Sequence, residues 1–509
     1  MALPKTSPTD AQPVLLTTNS SGIAPENPHN LSASLYNQDL APTTRSGRTW
    51  NAYSIFTLWA NDVHSLGNYA FAIGLFALGM SGWQILSALG IGALLLFVLL
   101  NLSGFMGEKT GVPFPVMSRI AFGINGAQIP ALLRGAVAIA WFGIQTYLAS
   151  QVLSVMIIAV APGAATLQET SFLGLNLLGW ICFVVLWIIQ LIIVSYGMEM
   201  IRKYEAFAGP IILVTFLALA IWMLFESGFN ISLSTGETKS GLDMWIAIFG
   251  AAALWVSIYG TFVLNFCDFT RGAATKNSIV RGNFFGIPLN MLFFGAIVVV
   301  LTGTQFSING TVIASPSDVV ASVPNTFALL LASGALLVLT IAVNLMANFV
   351  APTYALTNLF PKHLDFRKAA LISGVIGLVI LPWNLYNSPQ IINYFLGGLG
   401  ALLGPLFGII MADYWIIRRA RVNVMDLYRS TPEGTYYFTR GVNYRAVTAL
   451  AISSVVALLL AFLPALHVVG PFAWFLGSGA GAIAYLLLAK RPVDLADIDG
   501  EAIAVAPKH

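Results

Sequence analysis

Apolar residues gather along the chain into twelve runs of about 17 to 30 residues, each long enough for a membrane-spanning helix, with short polar segments between them. The runs lie at 53–79, 83–106, 128–160, 173–197, 205–226, 243–266, 283–304, 325–350, 369–384, 388–417, 445–465 and 468–489. Two are interrupted from within. The first carries Asn61-Asp62-Val63-His64-Ser65-Leu66-Gly67-Asn68, and the sixth carries Ser257, Tyr259, Gly260, Thr261 and Asn265. At about 1.5 Å per helical residue, Asp62 and His64 fall roughly 14 to 16 Å into an apolar core roughly 30 Å thick. An acidic side chain there costs about 2.5 to 3.5 kcal/mol, so the pair is expected to face a protein interior or a wet cavity.

Charge placement tests the count independently. With both termini inside, every one of the 24 lysines and arginines except Lys239 falls in an inner segment. A single missed span would exchange the sides of all later loops, so this asymmetry supports twelve spans with cytoplasmic termini in the plasma membrane. The expected fold class is an all-α membrane protein with 12 transmembrane helices. Residues 1–48 are polar and rich in Pro, Ser, Thr and Asn, which predicts a disordered cytoplasmic tail, with a second cytoplasmic tail at 491–509.

Composition agrees: 57% of the 509 residues are hydrophobic and 9% charged, with a mean hydropathy of +0.81. A net charge of +3 gives no reason to expect a nucleic-acid partner. Cys182 and Cys267 lie in or beside apolar runs, which argues against a disulfide and offers no metal spacing. No Walker element is present, which argues against a primary pump. Of the five histidines only His64 is in a span, which argues against an enzyme; no cofactor or metal is expected. A monomer in the lipid bilayer is the expected state.

The two interrupted runs are five spans apart and so enter the membrane in opposite senses. Interrupted helices at matching places in inverted halves point to a transporter's midplane site, because unwinding frees carbonyls and exposes helix-terminal dipoles. The alternative is that Gly67 and Gly260 only permit close helix packing.

Five motifs, in order, resemble one family from about Trp50 to Lys490. They are Gly111-Val-Pro-Phe-Pro-Val-Met-Ser-Arg-Ile-Ala-Phe-Gly-Ile-Asn-Gly126, Trp141-Phe-Gly-Ile-Gln-Thr-Tyr147, Asn265-Phe-Cys-Asp-Phe-Thr-Arg271, Asn348-Phe-Val-Ala-Pro352 and Leu403-Gly-Pro-Leu-Phe-Gly-Ile-Ile-Met-Ala-Asp-Tyr-Trp415. The sequence is similar to the nucleobase-cation-symport-1 family, which includes hydantoin, allantoin, cytosine and uracil permeases. The resemblance implies a five-plus-five inverted repeat of the leucine-transporter type, with repeats at 49–226 and 243–420 and two additional C-terminal helices at 421–490. It also implies secondary active import of a small planar nitrogen heterocycle by alternating access.

Trp141 and Gln145 stand four apart on one helix face. An indole offers a flat apolar surface and an amide offers a donor and an acceptor, which suits a planar heterocycle; packing with an interhelical hydrogen bond is the structural alternative. The resemblance assigns both to substrate, together with Asn348, whose other role would be to satisfy carbonyls freed by Pro352. Tyr259 stands where similar permeases commonly carry tryptophan, and Ser65 where better-known relatives place an amide, so the substrate of a familiar relative does not transfer directly. Leu396 matches a position that caps the substrate, or is an ordinary lipid-facing or core leucine. Asp268 and Arg271 read as a gate-side or capping charge pair or as solvated charges, and Asp413 has the same standing.

Sodium-coupled relatives carry two adjacent hydroxyl side chains five and six residues before the eighth-helix asparagine, and here those positions are Ala342 and Val343. A hard cation wants several oxygen ligands, so sodium is disfavoured. Asn61 and His64 stand where sodium-type members carry small or apolar residues. The expected coupling ion is a proton, carried by His64, Asp62 or both. Two other roles remain open: Asp62 capping the second half-helix while His64 bonds a carbonyl, or direct substrate contact. The functional alternatives are a sodium-coupled symporter of the same substrates, a heterocyclic-vitamin permease, and a substrate sensor that does not transport.

Overall fold

The computed structural model describes residues 31–236, 238–311, 325–387, 389–490 and 496–506, with the side chains of 328, 389–397, 399 and 400 outside the description. Helices occupy all twelve apolar runs. They are α1 (Ala52–Val63), α2 (Leu66–Ala77), α3 (Gly82–Thr110), α4 (Gln128–Val160), α5 (Leu177–Val194), α6 (Met198–Glu226), α7 (Gly241–Ile258) and α8 (Gly260–Asn265). There follow α9 (Lys276–Phe284), α10 (Asn290–Asn309), α11 (Thr326–Val343), α12 (Val350–Leu359), α13 (Phe366–Val379), α14 (Pro389–Met411), α15 (Tyr444–Phe462) and α16 (Ala473–Leu488). Among the described residues, nine helices are long and apolar enough to cross a membrane. The first run misses that measure because it is split into α1 and α2, the ninth because α13 has 14 residues. The tenth lies partly outside the described side chains.

The break in the first run follows from local chemistry. Asn51 opens α1, its Oδ1 accepting the Ser54 amide at 2.9 Å. At His64 the backbone leaves helical geometry, and Ser65 starts α2 by accepting the Asn68 amide on its Oγ at 3.4 Å. Asn68 Nδ2 turns back to the carbonyls of Asp62 at 2.9 Å and Val63 at 3.2 Å, serving acceptors that the break removes from the helical ladder. Ser65, not Asp62, is therefore the cap of the second half-helix. The sixth run breaks more gently: α7 ends at Ile258 and α8 resumes at Gly260, with Tyr259 between them still in right-handed helical geometry.

Elsewhere the ladder widens into π turns at Phe285–Leu289, Asn344–Phe349 and Ala412–Ile417. Such turns collect at functional sites because they re-aim side chains while keeping the helix continuous. The second spans Asn348.

Along α5, Ile181, Val185, Ile188 and Ile192 repeat at helical spacing and are exposed. An outward apolar stripe of this kind suits hydrocarbon surroundings. Where helices meet, backbones approach closely: a Cβ on Gly408 of α14 would stand 1.9 Å from the Ser478 carbonyl of α16.

Two expectations change. The N-terminal tail does not lack structure up to residue 48: Leu35, Leu40 and Ala41 are buried, and a 3₁₀ turn runs over Arg45–Gly47. Its turns hold because the body supplies partners, with the Tyr428 hydroxyl donating to Leu40 O at 2.6 Å and the Arg119 guanidinium to Leu35 O at 3.2 Å. The fourth helix begins at Leu177, behind a two-stranded hairpin that pairs Ser171 with Asn176, because Asn176 caps it by accepting the Gly179 amide at 2.7 Å.

Candidate substrate and coupling site

The two interrupted helices meet at Tyr259. Asn68 Nδ2 donates to its hydroxyl at 2.9 Å and to the Asp62 carbonyl at 2.9 Å, which ties the first interrupted helix to the tyrosine. Trp59 and Trp255 flank the tyrosine ring with centroids at 6.3 and 5.4 Å. Asp62, Ser65, Asn68 and Tyr259 therefore form one polar group inside an aromatic wall, all of them buried.

His64 turns elsewhere. Nδ1 faces the Tyr69 hydroxyl at 3.0 Å and Nε2 faces Asn290 Oδ1 at 3.2 Å, while Asn290 Nδ2 donates to Trp59 O at 3.2 Å. Since the Asn290 amide presents its oxygen to the ring, the consistent tautomer has Nε2–H donating and Nδ1 accepting from Tyr69, which satisfies a neutral imidazole. Phe216 stacks on the ring at 5.6 Å and Phe294 meets it edge-on at 5.5 Å. The expected carbonyl partner is thus a side-chain carbonyl, and both ring nitrogens are engaged away from Asp62. Asn61 is also committed: its Nδ2 donates to Thr57 O at 2.9 Å and Glu205 O at 3.0 Å, and contacts the Glu205 carboxylate on α6.

A second group lies between α4 and the π turn of the eighth run. Asn344 Nδ2 serves Phe142 O at 3.1 Å, Thr146 Oγ1 at 3.0 Å and Gln190 Oε1 at 2.7 Å. Its own Oδ1 accepts Asn348 Nδ2 at 2.8 Å. Asn348 thus keeps its carbonyl oxygen free of any side-chain donor among the described residues. Gln145 is 6% exposed, and its amide makes no side-chain hydrogen bond among the described residues. Trp141, one turn before it, is half-buried. A ligand presenting adjacent ring NH and C=O groups would find complementary amide atoms here.

Arg134, buried on α4 two turns before Trp141, joins the groups. It donates to Thr261 O at 3.2 Å and Asn265 Oδ1 at 3.1 Å on α8, and to Ala347 O at 2.9 Å in the π turn. Helix α14 packs against both α4 and α8, and it carries Leu396, whose side chain lies outside the described residues. Ala342 and Val343 are buried on α11.

Asp268 and Arg271 serve separate partners. Asp268 accepts the Phe114 amide at 2.6 Å and Asn265 Nδ2 at 2.7 Å, so it caps a short helix before α4. Arg271 instead holds the N-terminal segment, donating to Asp39 O at 2.9 Å, Thr43 Oγ1 at 3.1 Å, Gly111 O at 3.1 Å and Ala41 O. Beside them a cavity of about 340 Å³ opens at the end of the bundle where Thr43 and Val505 lie, lined by Asp39, Trp50, Glu199, Asp268 and Arg271. Trp141, Gln145, Tyr259 and Asn348 are not among its lining residues. Asp413 pairs with Arg418 at 2.6 Å and accepts the Tyr485 hydroxyl at 2.8 Å, a structural tie between α14 and α16.

Four residues of these groups, Asn68, Arg134, Glu205 and Asn344, are not singled out by sequence reasoning. The offset of Asn68 from Ser65 is the signal of a cap partner. Arg134 and Glu205 carry the signal of charge within or at the edge of an apolar run; Asn344 carries none beyond being one helical turn before Asn348.

The geometry joins an interrupted first helix, an aromatic and amide pair on the third run and an asparagine in a widened eighth run. A family model described as permease for cytosine/purines, uracil, thiamine and allantoin matches residues 42–483. The chain belongs to this family, nucleobase-cation-symport-1. Its relatives include the allantoin permease of Bacillus subtilis (strain 168), 35% identical over 461 residues, with 90% of this chain and 93% of that protein covered. The purine-uracil permease of Arabidopsis thaliana is 36% identical over 419 residues, covering 82% and 70%. The hydantoin permease of Microbacterium maritypicum is 29% identical, covering 84% and 85%. Among solved structures, the nucleobase-cation-symport-1 transporter Mhp1, closed with bromovinylhydantoin bound, superposes with a TM-score of 0.72 at 24% identity, covering 90% of this chain and 95% of that one. A Na⁺-coupled sialic acid symporter shares the fold more distantly, with a TM-score of 0.55 at 12% identity and coverage of 90% and 95%. A nucleobase-cation-symport-1 member is a multi-pass membrane permease and not an enzyme.

Proposed function

We propose that the protein imports a small planar nitrogen heterocycle of the allantoin, hydantoin or nucleobase type by proton symport. It does so through alternating access of twelve spans arranged as two inverted five-helix repeats plus two C-terminal helices, as a monomer in the plasma membrane with cytoplasmic termini. The observation that carries the substrate class is the pair of buried amide groups without side-chain partners among the described residues, Gln145 and the Asn348 carbonyl, beside the half-buried indole of Trp141. Stacking on the indole fixes the plane of the ring, and the amides read its NH and C=O edge. Tyr259 and Ser65 supply hydroxyls beside the break of the first helix.

Coupling to protons is supported by the apolar Ala342 and Val343, which offer no side-chain oxygen to a cation, and by the buried ionisable groups Asp62 and His64 with Asn61 beside them. In proteoliposomes free of sodium, an inward proton gradient should drive accumulation of labelled allantoin, hydantoin or uracil. Accumulation driven by sodium and indifferent to the proton gradient would overturn the coupling. Binding without accumulation under either gradient would make the protein a sensor.

A further inference from the structure

The helices α1 and α6 are stitched together at three levels. Tyr53 donates to Ala206 O at 3.2 Å; Gly209 packs against Thr57 and Ala60, where a Cβ would stand in van der Waals contact; and Asn61 meets Glu205. The third contact does not balance. Asn61 Nδ2 has two hydrogens for three acceptors: the carbonyls of Thr57 and Glu205 at 2.9 and 3.0 Å, and Glu205 Oε2, which it meets more closely still. Glu205 Oε1 and Asn61 Oδ1 are buried with no hydrogen-bond partner among the described residues, in side chains 1% and 0% exposed.

No cation among the described residues balances the carboxyl. From α1 Asp62 acts on it electrostatically, and just past the end of α1 His64 has both ring nitrogens occupied by Tyr69 and Asn290. Helices α10 and α11 carry no titratable side chain, and α5 brings only Cys182, which is bonded to Ser154 at 3.3 Å. On α6 itself Tyr204 turns its hydroxyl to Val338 O, and Arg202 is bound to Glu199 at 2.5 Å. A buried carboxylate without a cation or a spare donor is neutralised most directly by a proton, which also supplies a hydrogen where acceptors now face one another.

We propose that Glu205 carries the coupling proton, with the Asn61 amide as its partner; this deepens the proton-symport reading and rests on it. The step is a proton transfer: a Glu205 carboxylate oxygen takes H⁺ from water on the outer side, and releases it to water on the inner side once α1 has moved off α6. No bond in the substrate changes. Asp62 connects the two sites, because Asn68 ties its carbonyl to the Tyr259 hydroxyl on one side and its carboxyl acts on Glu205 on the other. Two neighbouring carboxyls do not readily ionise together, so a substrate seated at Tyr259 that alters the Asp62 environment alters how firmly Glu205 keeps its proton.

The test uses the full-length protein in sodium-free proteoliposomes, with whichever of labelled allantoin, hydantoin and uracil the native protein accumulates. One proton per substrate across a one-unit pH gradient allows about tenfold accumulation. Glu205→Gln should equilibrate without accumulation while still exchanging labelled for unlabelled substrate, which shows that it is folded and binds. Accumulation by Glu205→Gln at the native level overturns the proposal. Failure of the native protein to respond to the proton gradient overturns instead the symport reading on which it rests. A substrate-independent check is the infrared carbonyl band of a protonated carboxyl, expected in the native protein and lost in Glu205→Gln; an unchanged spectrum counts against Glu205. Stimulation of substrate binding by sodium in the native protein but not in Glu205→Gln would make the pair a cation site and also overturn the proposal.

Discussion

At the scale of single residues the proposed binding group divides its labour. Asn344 is spent on structure, serving Phe142, Thr146, Gln190 and Asn348, whereas Gln145 and the Asn348 carbonyl keep hydrogen-bonding capacity that no described side chain claims. Trp141 supplies area. Its replacement by alanine removes the stacking surface and should weaken heterocycle binding by about 2 kcal/mol or more, beyond tenfold. Trp141→Phe keeps an aromatic face and should retain part of the affinity. Equilibrium binding to purified protein checks both, and native affinity in the alanine variant would refute the assignment. Trp141 and Gln145 could be proposed from the sequence because a tryptophan and a glutamine four apart in an apolar run combine two unlike chemistries on one face. Glu205 was not, because a carboxylate at the edge of a run reads as an interfacial charge until α1 is seen to cover it.

At the scale of elements, irregularity is concentrated where the chemistry is. The first run breaks and is resealed by Ser65 and Asn68, and the eighth widens over Asn344–Phe349 without breaking. The break was legible because Asp62, Ser65 and Gly67 interrupt apolar periodicity. The π turn was not, since inserting one residue into a helical ladder leaves no compositional mark, and it depends on Asn344 finding acceptors on α4 and α5. Asn344→Ala should therefore act on the helix as much as on the ligand. It leaves Gln190 Oε1 and Asn348 Nδ2 short of a buried partner, at about 1 to 3 kcal/mol for each group left unsatisfied, and should lower the thermal unfolding midpoint in detergent even without substrate. An unchanged midpoint would show that the turn holds without this network.

At the scale of the whole molecule, hydropathy and charge asymmetry were enough to place a helix in every one of the twelve runs, because the bilayer sets the length of a span and the inner side collects Lys and Arg. The N-terminal segment before residue 48 was misjudged for the converse reason: a polar, Pro-rich segment cannot bury itself, and residues 31–48 order on partners far away in sequence. Arg271 is one such partner, with acceptors on Asp39, Ala41, Thr43 and Gly111. Arg271→Gln should release residues 39–43, seen as faster amide hydrogen exchange there, while exchange around Asn344 stays slow; equal exchange in native and variant protein would show that the segment is held by other contacts. On the same face the Val505 amide donates to Pro42 O at 2.9 Å, and Lys109 meets Asp497 at 2.8 Å. Because Pro42 precedes the twelve runs and Val505 follows them, their pairing times biogenesis: this face cannot close until the last of those runs has been made.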